Sequence, residues 1–138
     1  MDAPEGFAPL GRRGGPYLTA LGPLFVKQHG EQWILGLRVE ASHLNSKGIA
    51  HGGMLITFAD SALGIRLAEL RNPPQPMVTA SLTTDFLETA SEGDWLEAQV
   101  QLDKMGARLA FATCYLRVSE RPILRASGVF AVVAPPGS

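Results

Sequence analysis

GIAHGGMLITFADSALGI, running from Gly48 to Ile65, decides how this chain is read. A His-Gly-Gly turn opens a helix that is apolar almost all the way round, and one carboxylate, Asp60, sits in its middle. A helix of that kind is expected to be buried on every side. A lone carboxylate in such a helix is costly unless it is paired, hydrogen-bonded or functional. The Gly-Gly start leaves backbone N–H groups at the positive end of the helix dipole, where they can hold a developing oxyanion. An acid and an oxyanion hole on one element are the parts needed to hydrolyse an activated acyl group.

Working outward, the helix is expected from about Gly52 to Leu70, closed by Asn72-Pro73-Pro74, which cannot continue it. Before it, strands are predicted near Leu24–His29 and Gln32–Glu40, with a turn at Gly30. Trp33, Leu35, Leu37 and Val39 alternate as a half-buried strand requires. Ala41–Ala50 reads as a polar loop, and His29 and His43 as surface residues. After the helix the pattern is all strand: about Met77–Leu87, Trp95–Lys104, Arg108–Ser119 and Ile123–Val133. Turn chemistry falls at Ser91–Asp94, Lys104-Met105-Gly106 and Glu120-Arg121-Pro122. Residues 1–22, with Pro4, Pro9 and Pro16, read as a flexible arm with a turn of helix near Tyr17–Leu21. Residues 23–134 form the domain and 135–138 a tail.

Two strands, one long helix and four strands joined by short connections make an α+β fold. The late strands should pair antiparallel. About six strands can bury the helix only by curving around it, which is the hotdog arrangement. Its open sheet edges favour pairing with a second copy.

Composition limits the function classes. The 138 residues make one domain, 46% hydrophobic, with a net charge of −1. That balance gives no basic surface for nucleic acid or membrane. Asp60 and Arg66 interrupt the helix's apolar run, which argues against a membrane span. The single Cys114 cannot form an internal disulfide and reads as a small core residue, and no His/Cys cluster suggests a metal. Arg12 and Arg13 are flanked by glycines with no apolar run behind them, so no secretory leader is expected. The expected setting is the cytoplasm.

The string Asn45-x-x-Gly48-x-x-His51-Gly52-Gly53 followed by Asp60 resembles the PaaI-type (phenylacetic acid degradation) hotdog acyl-CoA thioesterases. The resemblance runs from roughly residue 21 to residue 134, and the acid position carries Asp rather than the Glu of a related branch. It implies hydrolysis of an aryl-acyl or medium-chain acyl-CoA to free acid and coenzyme A, with no metal or bound cofactor. In the family the acid attacks the thioester carbonyl or activates a water, and Asp60 matches it. Gly52 matches the backbone oxyanion donor. His51 and Asn45 would orient the thioester or the loop; their structural alternatives are a helix cap and a local turn. Thr79 is aligned with a Ser or Thr that contacts the acid or the water.

By period two, Thr79, Ser81 and Thr83 share one strand face. Gly53, Met54, Phe58 and Phe86, with Ser81 and Thr83, are the expected substrate contacts, and Lys104 and Arg108 the candidate partners of the CoA phosphates. Gly52 and Asp60 lie eight residues apart, about 12 Å of helix. One carbonyl cannot touch both within one chain, so the site should straddle a two-fold homodimer, and a homotetramer built as a dimer of dimers is expected. Two other readings stand beside this one. A non-catalytic acyl-CoA binding module would use the same pocket without turnover. A hotdog enoyl-thioester hydratase would need a His–acid pair that the chain lacks.

Overall fold

The computed structural model describes residues 3–133. The proposed tail at 135–138, and residue 134 at the end of the domain, lie outside them. The long helix, α2, spans Gly52–Leu70. Met54, Leu55, Phe58, Ala59, Ala62, Leu63 and Leu67 fall on its buried face, at the three- and four-residue spacing of one helix side. They meet strands β4 (Met77–Phe86), β5 (Trp95–Met105), β6 (Leu109–Val118) and β7 (Arg121–Val132). Complete burial of side chains the size of Phe58, Leu63 and Leu67 is worth about 1.5–3 kcal/mol each. The other face carries Ile56, Thr57, Asp60, Ser61, Gly64, Ile65 and Ala68, and it stays partly open. The expectation of burial on every side therefore fails within a single protomer.

The sheet is antiparallel throughout. Its order is β1-β2-β3-β5-β6-β7-β4, with β1 at Ala8–Pro9, β2 at Phe25–His29 and β3 at Gln32–Arg38. This is the α+β hotdog fold, with seven strands rather than about six. Trp33, Leu35, Leu37 and Val39 all join the core, as their alternation requires. β7 starts earlier than expected. The turn is only Ser119-Glu120, with Ser119 at φ 54°, a conformation that a two-residue hairpin needs. Pro122 then sits in the strand opposite Arg117, at a register shift where its missing N–H is tolerated.

The N-terminal segment differs most from its reading as a flexible arm. Ala8 pairs with Val26 and Pro9 with Phe25. Gly15–Leu21 forms helix α1, with Pro16 in its first turn. Leu10, Leu18 and Leu24 join the hydrophobic core. His43 is also corrected: it lies in a 3-10 turn, Ala41–His43, and is 4% exposed. Its Nδ1 accepts from the Glu40 N–H at 2.9 Å, and its Nε2 lies 2.7 Å from the Leu21 carbonyl oxygen. Its backbone carbonyl accepts from the His51 N–H at 2.8 Å. Through its ring and its backbone carbonyl, this one buried residue joins the end of α1 to the turn that begins α2.

Leu18→Ala should lower unfolding stability in urea by about 2–3 kcal/mol, the usual cost of emptying a buried leucine site. A loose arm would leave stability unchanged. Burial pushes the Cys114 thiol up to about 12, so at pH 8 it is protonated in the native protein. A disulfide reagent should label it only after denaturation; fast labelling of the folded protein would contradict this packing.

Candidate active site

The turn before α2 is held by its own polar groups. Asn45 Oδ1 accepts from the N–H groups of Lys47 (2.9 Å) and Ile49 (3.3 Å), a local Asx-type turn. The Asn45 N–H donates to the Ile49 carbonyl at 2.8 Å, and the Ala50 N–H donates to the Ala90 carbonyl at 2.8 Å. His51 caps the helix. Its extended backbone places Nδ1 to accept from the Gly53 N–H at 2.8 Å. The His51 carbonyl accepts from Met54 (3.0 Å) and Leu55 (3.1 Å). A helix start leaves four N–H groups without intrahelical partners. Here the ring takes Gly53, and among the described residues none takes Gly52.

The two glycines are there for space rather than unusual dihedrals, since neither has positive φ. A Cβ on Gly53 would lie 3.0 Å from the His51 ring, and one on Gly52 would lie 3.3 Å from the Phe86 ring. Gly52 opens, with Asn45 and Phe86, onto a pocket of about 300 Å³.

Asp60 lies on the open face of α2, half-buried. Thr79 Oγ1 reaches across from β4 and donates to Asp60 Oδ1 at 2.5 Å. Arg66 is engaged elsewhere, 3.9 Å from Glu69 and 5.7 Å from the centre of the Trp33 ring. Asp60 borders a groove of about 860 Å³ between α1, α2 and β4. Gly52 does not line this groove, and Asp60 does not line the pocket at Gly52. Within one protomer the free donor and the carboxylate face separate clefts.

Several expected contacts fall elsewhere. Met54 and Phe58 are on the buried face of α2, in the core, and line neither cleft. The pairing of β4 with β7 shifts register between Thr79 and Ser81. A bulge there reverses the alternation. Leu82, rather than Ser81 or Thr83, joins Thr79 along the groove. The Gly53 N–H is occupied by the His51 ring and is not free for substrate. Lys104 and Arg108 are exposed beside the β5–β6 turn, and neither borders a cleft holding Asp60 or Gly52. That turn is held to the end of α2 by Arg71, which donates to the Gly106 (3.0 Å) and Ala107 (2.9 Å) carbonyls. Sequence reasoning missed Arg13 and Tyr17, which border the groove from the N-terminal segment; only the apolar spacing of Leu10, Tyr17, Leu18 and Leu21 hinted at packing there. Among the described residues no three His, Cys, Asp or Glu side chains gather as a metal site, and no helix is long and apolar enough to cross a membrane.

Comparison with known proteins agrees with this architecture. Residues 47–123, more than half of the chain, match the sequence profile of the Thioesterase superfamily. A Pseudomonas aeruginosa protein named "Putative esterase PA0474" is 49% identical over 131 residues, covering 94% of this chain and 97% of its own. The E. coli PaaI protein from the phenylacetic acid degradation operon superposes with a TM-score of 0.76 at 22% identity, over 86% of this chain and 84% of its own. A hypothetical thioesterase from Streptococcus pneumoniae, solved with coenzyme A, superposes at 0.73 with 21% identity, over 80% of this chain and 89% of its own. At those identities the two structures speak to the fold. Together with the profile match and the P. aeruginosa relative, they place the chain: it belongs to the thioesterase superfamily.

Proposed function

We propose that the protein is an acyl-CoA thioesterase whose site is shared between two protomers. The observation that carries this is the separation of the free Gly52 N–H from the Thr79-bound Asp60 carboxylate into different clefts. An oxyanion donor must lie about 3 Å from the reacting oxygen, and eight residues of helix hold these groups roughly 12 Å apart along its axis. A second copy, related by a two-fold axis, brings Gly52 of one chain to Asp60 of the other and makes two such sites. The surface supports that pairing. β4 is an edge strand, with Val78 and Phe86 each 54% exposed, and the open face of α2 beside it carries Ile56 and Ile65. A dimer of such dimers is the proposed assembly.

In this site the Gly52 N–H polarises the thioester carbonyl. Asp60 of the partner subunit, held by Thr79 of its own chain, either takes a proton from an attacking water or attacks the carbonyl itself. The new C–O bond drives the carbonyl electrons onto oxygen, where the N–H stabilises them. Their return breaks the C–S bond and releases the CoA thiolate, which is protonated on leaving. By the attack route, water then hydrolyses the acyl–Asp60 anhydride. Both routes give free acid and CoA. The coenzyme A complex of the S. pneumoniae structural neighbour supports this choice of substrate.

Free-thiol release from a panel of aryl-acyl and fatty acyl-CoAs tests the reading. Asp60→Asn should cut kcat by about 10²–10⁴-fold, the worth of a positioned acid–base group, without changing the oligomer's size. Near-normal kcat in that variant would remove the assigned role. Thr79→Val should cost about 10–100-fold in kcat, as expected for a hydrogen bond to a charged group. Gly52→Pro removes the N–H at a first-turn position where proline fits a helix, and should also be inactive. Mixing it with Asp60→Asn and refolding should restore about a quarter of the wild-type activity, because half the dimers are mixed and each mixed dimer has one intact site. No recovery would place the reaction within one chain.

A further inference from the structure

We infer that His43 is a positioning residue for the reaction: its ring holds the turn whose carbonyl fixes the backbone of His51, and through it the place of the Gly52 N–H. This rests on the thioesterase reading above and adds to it a residue that lines neither cleft. Among the described residues, His43 alone combines a polar side chain with near-complete burial. Such a group is costly to bury unless its hydrogen bonds are made, and here both ring nitrogens are used. A backbone N–H can only donate and a carbonyl can only accept. Nδ1 therefore keeps its lone pair for Glu40, and Nε2 carries the hydrogen that goes to Leu21. Leu21 is the last residue of α1, and a helix end leaves its final carbonyls without intrahelical partners. One neutral ring in one tautomer ties these two backbone segments together.

The residue held in this way acts through its backbone. The His43 N–H donates to the Glu40 carbonyl at 2.9 Å, closing the 3-10 turn, and the His43 carbonyl accepts from the His51 N–H at 2.8 Å. One residue earlier, the Ala50 N–H goes instead to the Ala90 carbonyl, in the connection between β4 and β5. Successive residues before α2 are therefore pinned to two different neighbours. The direction of the Gly52 N–H follows from the helix. That N–H shares a planar peptide unit with the His51 carbonyl, which is turned into the helix by the Met54 and Leu55 N–H groups. In a trans unit the N–H points the opposite way, out of the helix start. The helix sets where the donor points, and His43 sets where it stands. An oxyanion donor serves at about 2.7–3.1 Å from the charged oxygen, and a misplacement of about 1 Å can cost about 10²-fold in rate.

The test compares the full-length wild type with His43→Leu and His43→Asn, by thiol release from the acyl-CoA that the wild type hydrolyses best. kcat is expressed per folded protein, taken from each variant's urea unfolding curve, so that lost stability does not count as lost catalysis. His43→Leu should lower kcat by about 10–100-fold with KM within about twofold, the pattern of an interaction felt in the transition state. Amide hydrogen exchange gives the local readout. Exchange at His51 should rise about tenfold or more relative to Ala50, whose own bond to Ala90 does not involve His43. The neighbouring amide cancels any general loosening of the fold. His43→Asn keeps a side-chain oxygen for the Glu40 N–H but is too short to reach Leu21, and should fall between the other two proteins in both measures. Either measure at its wild-type value in His43→Leu, or in His43→Asn should His43→Leu not fold, would overturn the proposal. If the wild type hydrolyses no ester, the thioesterase reading falls. The exchange ratio then decides alone: a rise upholds His43 as the hold on the Gly52 turn, and an unchanged ratio removes it.

Discussion

Helix α2 is apolar on two faces, and one sheet can cover only one of them. Phe58, Ala59, Ala62, Leu63 and Leu67 go under the sheet and are fully buried. Ile56, Asp60, Gly64, Ile65 and Ala68 are left along the opposite side. Everything distinctive about the molecule follows from this surplus. It leaves a carboxylate on a surface that is otherwise apolar. It also leaves a groove where a solitary domain would have solvated side chains. Large apolar faces on soluble proteins mark contact with something else, and here the candidate reacting groups lie on that face and at its start.

The helix alone does not make the site. Asp60 takes its hydrogen bond from β4, the last strand in the sheet order although it is the first after the helix. The bulge that follows Thr79 turns Leu82 inward and leaves Ser81 outside the groove. Bulges are favoured at sheet edges, where the ladder has a free side and a strand can change twist at little cost. The acid is therefore oriented by an edge strand that, among the described residues, pairs only with β7.

Much of this was legible in the residues. The bounds of α2 match because its signals are local: His51 before Gly-Gly, and two prolines after Asn72. The strands match because their alternation is local too. The misses share a cause. An all-round apolar helix does not indicate which side the sheet will cover, so the sequence alone does not separate Met54 and Phe58, which are buried in the core, from the residues of the open face. No residue type marks a bulge, so Ser81 and Thr83 were counted with Thr79. His43 lies in a polar stretch, and its burial depends on the Leu21 carbonyl, more than twenty residues away. The N-terminal strand is two residues long and contains a proline, and only tertiary pairing holds so short an element in place.

The cap on α2 has a consequence for proton traffic. To accept from the Gly53 N–H, the His51 ring must keep a lone pair on Nδ1, so a neutral ring carries its hydrogen on Nε2. In that tautomer the ring can offer a hydrogen to a ligand, but it cannot take one without giving up the bond it already makes. An imidazolium has no lone pair left for the backbone. The bond from Gly53 to that lone pair is thus what holds the first turn of α2 in the arrangement that leaves the Gly52 N–H unclaimed.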